Sequence, residues 1–179
     1  MTLDSTCNLY LVGLMGSGKT TIGRALARRL ERRFVDSDHE IERRTGVRIP
    51  VIFEMEGEAG FRKREAQVID ELSQQTGIVV ATGGGAILDP GNRAAMSGSG
   101  WVIYLDVPTH LLLERTRHDT NRPLLQVADP RAKLDGLREQ RDPLYREIAN
   151  LIVDGTRNNS QAALTRILKE WEKQCAHST

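Results

Sequence analysis

The chain has 179 residues and sets 25 Lys plus Arg against 24 Asp plus Glu, a formal net charge of +1. Proteins that grip nucleic acid by its phosphates rely on a basic excess, and base-stacking surfaces need aromatic rings. A charge of +1 with 4% aromatic residues argues against both. The length supports one domain, with room for a small insertion, that can bury roughly 70% of its unfolded surface without staples. The two cysteines, Cys7 and Cys175, sit near opposite ends without metal-ligand spacing, which argues against a disulfide framework or a zinc site. No apolar run approaches the ~18 residues of a membrane span and the start is polar, so the expectation is a soluble cytoplasmic protein with no membrane partner. The basic residues are 20 Arg and 5 Lys. Arginine forks suit carboxylates and phosphates, which favours a compact anionic ligand, although solvated helix faces give the same bias.

Apolar runs of strand length at 9–14, 34–35, 78–81, 101–105 and 151–153 alternate with helical patterns at 21–32, 58–74, 109–116, 131–146 and 160–173. That alternation predicts an α/β fold, five parallel strands covered by helices. After the first run, Gly13-Leu14-Met15-Gly16-Ser17-Gly18-Lys19-Thr20 fits G-x-x-x-x-G-K-[ST] between a strand and a helix. Glycines there let backbone N–H groups converge on phosphate oxygens, Lys19 reaches the β/γ-phosphates and the Thr20 hydroxyl can ligate Mg²⁺. No N-K-x-D segment for guanine is present, and no apolar strand ends in Asp-Glu as in motor ATPases. Phosphoryl transfer to a small acceptor gains by elimination.

At the end of the second run, Asp36-Ser37-Asp38 places two carboxylates at the edge where open α/β sheets bind ligands. One could hold a Mg²⁺-bound water while the other accepts from an attacking hydroxyl; equally, Asp38 could cap a helix beginning near Glu40. Arg62 lies on the long charged helix, where Glu58 and Glu65 are within pairing distance along one face. Thr82-Gly83-Gly84-Gly85 carries more glycine than one turn needs, which suits either a close backbone approach to a ligand or an ordinary loop. The stretch 117–130, with Pro123 and Pro130, has the length of a functional lid. Arg122 in it could be an arginine finger supplied in cis, or a solvated charge. Ser160 is the expected cap of the last helix.

Together these segments resemble the shikimate kinase family, small P-loop kinases. The match runs from Asn8 through the loop to Thr21, then Phe34-Val35-Asp36-Ser37-Asp38, Gly57 to Glu65, Ala81 to Ala86, Arg122-Pro123-Leu124-Leu125 and Arg141-Asp142-Pro143-Leu144-Tyr145. The resemblance implies a three-layer α/β/α P-loop kinase fold, with strand order 2-3-1-4-5, a substrate-binding insertion at about 36–66 and a lid at about 117–130. It implies that ATP is the co-substrate, held by Gly16, Ser17, Gly18, Lys19, Thr20, Thr21 and Arg122, with Arg115 and Arg157 around the adenine. Asp38, Arg62, Gly83, Gly84, Gly85 and Arg141 would bind shikimate, and Thr20 with Asp36, through water, would support Mg²⁺. Lys19, Asp38 and Arg122 would be catalytic, in a cytoplasmic monomer that phosphorylates the 3-hydroxyl of shikimate. Family members often carry a proline shortly after the last strand; Thr156-Arg157-Asn158-Asn159-Ser160 has none. Other small-molecule kinases, such as gluconate or nucleoside monophosphate kinases, and a non-catalytic nucleotide switch remain as alternatives.

Overall fold

In a computed structural model of the chain, which describes residues 6–117, 125–155 and 159–176, the five apolar runs pair into one parallel sheet. In chain order the elements are β1 (Asn8–Val12), α1 (Lys19–Arg29), β2 (Phe34–Asp36), α2 (Ser37–Thr45), α3 (Ile49–Ser73) and β3 (Val79–Ala81). A 3₁₀ turn (Ala86–Leu88) leads to α4 (Pro90–Ser99), β4 (Gly100–Asp106), α5 (Thr109–Thr116), α6 (Pro130–Ile148), β5 (Leu151–Asp154) and α7 (Ser160–Ala176). The strand order is β2-β3-β1-β4-β5, as the resemblance implied.

Side chains alternate across the strands, and both sets are apolar because both faces are covered. Leu9, Leu11, Val79 and Ile103 pack with Ile22 and Leu26 of α1 and Ile167 and Trp171 of α7. Tyr10, Val12, Val80 and Tyr104 face the other way, among Val68 and Leu72 of α3, Met96 of α4, Leu112 of α5 and Leu134 of α6. Parallel pairing brings the strand ends to one edge: Leu11 and Asp36 both pair with Ala81, and Asp106 pairs with Asp154. From that edge the chain departs as the glycine loop after β1, as Ser37 and as Thr82, which fixes where chemistry can occur.

The sequence pattern missed α4 and placed the start of α2 late, near Glu40 rather than at Ser37. SDHEIERRT and PGNRAAMSGS carry too few apolar residues to show a helical period, and the helices are defined by their caps. Asp36, not Asp38, caps α2, accepting from the Asp38 and His39 N–H groups at 3.1 and 3.3 Å. Asn159, not Ser160, caps α7, accepting from Gln161 N–H and Ala162 N–H. The long helix begins earlier than expected, at Ile49, and is broken at Gly57, whose φ of 70° interrupts the helical backbone. Glu56 and Arg64 pair bidentately across that break at 2.9 and 2.6 Å. Of the expected lid, 118–124 lies outside the described residues. No helix among the described residues is long and apolar enough to cross a membrane.

Trp171, 5% exposed, packs its ring 5.6 Å from that of Trp101 and under the Arg32 guanidinium, securing α7 to β4. Trp171→Ala is predicted to lower unfolding free energy by about 3 kcal/mol or more, read from urea melts. A loss below about 1 kcal/mol would show that this ring does not anchor α7.

Candidate active site

The loop after β1 is built by glycine. Gly13, Gly16 and Gly18 have φ of 145°, 79° and 94°, and a methyl group on Gly13 would lie 2.8 Å from the Leu105 carbonyl oxygen. Gly18 opens α1 in the left-handed conformation, with no side-chain cap and no acidic residue in the first turn. The first N–H groups of α1 are therefore directed at the cleft with the helix dipole behind them, as an anion requires. Lys19 is 9% exposed, and its ammonium donates to the carbonyls of Gly13 at 2.8 Å and Leu14 at 2.9 Å. Arg115, at the end of α5, donates to the Gly16 carbonyl at 3.1 Å.

β2 brings Asp36 against this loop: Thr20 Oγ1 donates to Asp36 Oδ2 at 2.7 Å, while Asp36 Oδ1 caps α2. A hydroxyl and a carboxylate side by side at a phosphate cradle are hard oxygen donors of the kind Mg²⁺ takes, so these residues fit the ion. Asp38 follows two residues later, in the first turn of α2, with its carboxylate against Gly83 at the next strand end.

At that strand end the glycine run is the floor on which four charged side chains meet. Gly83 N–H donates to the buried Ser37 Oγ at 3.0 Å, tying α2 to the run. A methyl group on Gly83 would lie 2.5 Å from Glu65 Oε1 and 2.6 Å from Asp38 Oδ1. On Gly84 it would lie 3.3 Å from the Gly13 carbonyl oxygen and 3.6 Å from Arg141 Nη1; on Gly85 it would collide with the Arg62 guanidinium. Sequence reasoning placed Asp38, Arg62, Arg141 and the glycines here, and the structure brings them together.

The pairings anticipated for Arg62 also form, with Glu65 at 2.6 Å and Glu58 at 3.1 Å. Surface pairing and a site role were alternatives in the sequence; the pairs form, and the same guanidinium lies against Gly85. The missed residues are Glu65, Ser37 and Tyr145. Tyr145 OH donates to the Gly84 carbonyl at 2.5 Å, and the one signal for it was its place one turn beyond Arg141.

A cavity of about 860 Å³ runs along the strand ends. Its walls are Asp38, Glu42, Arg48, Ile49, Thr82 and Gly84 on the β2–β3 side, and the P-loop from Gly16 to Thr21 at the centre. On the β4–β5 side they are Leu105, Val107, Arg115, Gly155 and the α7 face at Ala162 and Arg166. Arg62, Gly83, Gly85 and Arg141 lie behind this wall, beside Gly84. Arg48 and Arg166 carried no sequence signal. Arg122 and Arg157 fall outside the described residues.

Charge on this floor is finely set. Burial works against the Arg62 cation, but the charge of Glu65 and their hydrogen bond overcome it and hold its pKa up. Arg141, 2% exposed, has its pKa pushed down by burial, and its Nε has no hydrogen-bond partner among the described residues. Glu65, 1% exposed, is pushed up to about 7 by burial, with Asp38 acting in the same direction and Arg62 opposing. Its Oε1 is buried without a hydrogen-bond partner among the described residues. Because the unfolded carboxyl titrates near 4.5, the folded state binds the extra proton between about 4.5 and 7. The stability this group contributes is full below about pH 4.5 and lost as pH rises through about 7. Glu65→Gln is predicted to flatten that fall in urea midpoints measured across this range, and an unchanged slope would contradict the assignment.

Comparison with known proteins follows the same outline. The shikimate kinase family model matches residues 15–172. A shikimate kinase of Aromatoleum aromaticum is 57% identical over 173 residues, covering 94% of this chain and 99% of the relative. One from Thiobacillus denitrificans is 62% identical over 161 residues, covering 90% and 87%. Among solved structures, shikimate kinase from Acinetobacter baumannii in complex with shikimate superposes with a TM-score of 0.90 at 52% identity, covering 92% of each chain. By family match, by relatives along nearly its whole length and by fold, the chain belongs to the shikimate kinase family.

Proposed function

We propose that this chain transfers the γ-phosphate of ATP to the 3-hydroxyl of shikimate, giving shikimate 3-phosphate and ADP. The observation that carries the reading is the contact between cradle and floor: Gly84 abuts the Gly13 carbonyl, so the arginines and the carboxylate around the glycine run adjoin the phosphate loop. Shikimate offers one carboxylate for two arginines and vicinal hydroxyls for an acidic acceptor, which is the complement of this floor.

In the reaction the 3-hydroxyl oxygen bonds to the γ-phosphorus while the bond to the β-phosphate oxygen breaks. Arg62 and Arg141 hold the acceptor carboxylate, and Asp38 orients the 3-hydroxyl and takes its proton. The transition state of such transfers is loose, so positioning outweighs proton removal. Lys19 exchanges its two carbonyl contacts for β/γ-phosphate oxygens, and the N–H groups of Gly16 to Thr21 hold the remaining phosphate charge. Thr20, and Asp36 through water, would hold Mg²⁺, which when bound would neutralise charge on the β/γ-phosphates. By resemblance alone, Arg115 and Arg157 are assigned to the base, Arg122 to the transferring phosphate and about 36–66 to substrate binding. A cytoplasmic monomer belongs to the same reading.

A coupled ADP-release assay across shikimate, gluconate and nucleoside monophosphates tests it, with turnover expected on shikimate alone. Preferred turnover on another acceptor, or ATP binding without turnover, would contradict it. Arg62→Lys replaces a fork by a point charge and is predicted to raise KM for shikimate roughly 10- to 100-fold with little change for ATP. An unchanged shikimate KM would remove Arg62 from the carboxylate clamp.

A further inference from the structure

α6 shows two stripes with different work. Arg141 and Tyr145, four apart, face the glycine run, while Arg138, Asp142 and Arg146, also four apart, face the end of β4. On that second face the contacts form a closed ladder. Asp106 accepts from Arg138 Nη2 at 2.6 Å through Oδ1 and from Arg146 Nη2 at 2.5 Å through Oδ2. Asp142 accepts from Tyr104 OH at 2.8 Å and from Arg146 Nε at 2.8 Å, and Arg138 Nη1 donates to the Val107 carbonyl at 2.9 Å. Tyr104 links the two faces, because its ring stacks on that of Tyr145 at 4.8 Å and 27°.

We propose that this ladder holds Arg141 in the acceptor site, with Asp142 and Tyr104 as positioning residues for acceptor binding. Two features of α6 require such a device. The first is the burial of the Arg141 cation, 2% exposed and disfavoured by that burial, since a helix free to turn would carry it outward to water. The second is Pro143, inside α6, which supplies no N–H to the preceding turn. The helix is therefore weakened at the turn that carries Arg141, and the ladder brackets that point with Arg138 and Asp142 before it and Arg146 after it. The pairs themselves are partly exposed, with side chains 19–42% accessible, where single ion pairs add little to stability. The ladder's effect is thus expected in acceptor affinity more than in the melting temperature.

The inference rests on the reading of Arg141 as a carboxylate-holding group, and the test separates the two. Turnover of shikimate by the wild-type enzyme, measured first, decides the functional reading alone. Tyr104→Phe and Asp142→Asn, both shape-conserving, are then made in the wild-type and in the Arg141→Lys background. Each is expected to raise shikimate KM roughly 3- to 10-fold in the wild-type background, with ATP KM and melting temperature close to wild type. In the Arg141→Lys background, which itself raises shikimate KM, the further loss should vanish, since residues acting through one group are not additive. Equal fold-losses in both backgrounds, an equal rise in ATP KM, or an Arg141→Lys enzyme with unchanged shikimate KM would each overturn the proposal. For any variant whose melting temperature falls by more than a few degrees, the shikimate-induced shift in melting temperature replaces KM as the readout, with the same outcomes.

Discussion

The site depends on a volume that side chains do not occupy. Asp38 and Glu65 fill the space where a Cβ of Gly83 would stand, and the Arg62 guanidinium fills the space above Gly85. Only a backbone without Cβ atoms lets carboxylates and a guanidinium lie this close to a strand end, and only there do they adjoin the phosphate loop. The run is itself held from below by Ser37 Oγ and from above by Tyr145 OH, one on α2 and one on α6. Helices from both ends of the chain thus converge on three glycines.

Electrostatics follows from this crowding. Two arginines and two carboxylates share one poorly solvated floor, so the titration of Arg62, Glu65 and Arg141 is set first by burial and then by their charged neighbours. Glu65 is the pivot: it sustains the Arg62 cation, while burial first and the charge of Asp38 second make its carboxyl hold a proton readily. In the proposed reaction an arriving carboxylate would accept from the two arginines, whose Nε atoms have no hydrogen-bond partner among the described residues.

The parallel sheet was legible in the sequence because strands buried on both faces appear as unbroken apolar runs, and the phosphate loop because its glycines and lysine have one chemical use. The short helix α4 was not legible and the start of α2 was placed late, since caps at Asp89 and Asp36 rather than apolar periodicity define them. The alternative in which Asp38 caps that helix is replaced by a cap at Asp36. Both carboxylates stand near the start of α2, and spacing alone does not show which one lies at the last extended residue. Arg62 could be read as a surface pair or as a site residue because a helix face shows its neighbours three and four residues away, not the glycine run twenty residues downstream. Glu65 was visible only as one of those neighbours; its burial is a property of the fold. Arg48 and Arg166 reach the cavity through tertiary packing and had no local signature.

The account stands on the convergence of Asp38, Arg62 and Arg141 around Gly83 to Gly85, and a crystal structure of the chain with shikimate and ADP tests it most directly. The predicted result is the shikimate carboxylate within hydrogen-bond distance of both Arg62 and Arg141, with its 3-hydroxyl on Asp38 and directed at the phosphate loop. A carboxylate seated instead on Arg48 at the cavity wall, or a 3-hydroxyl turned away from the loop, would contradict it.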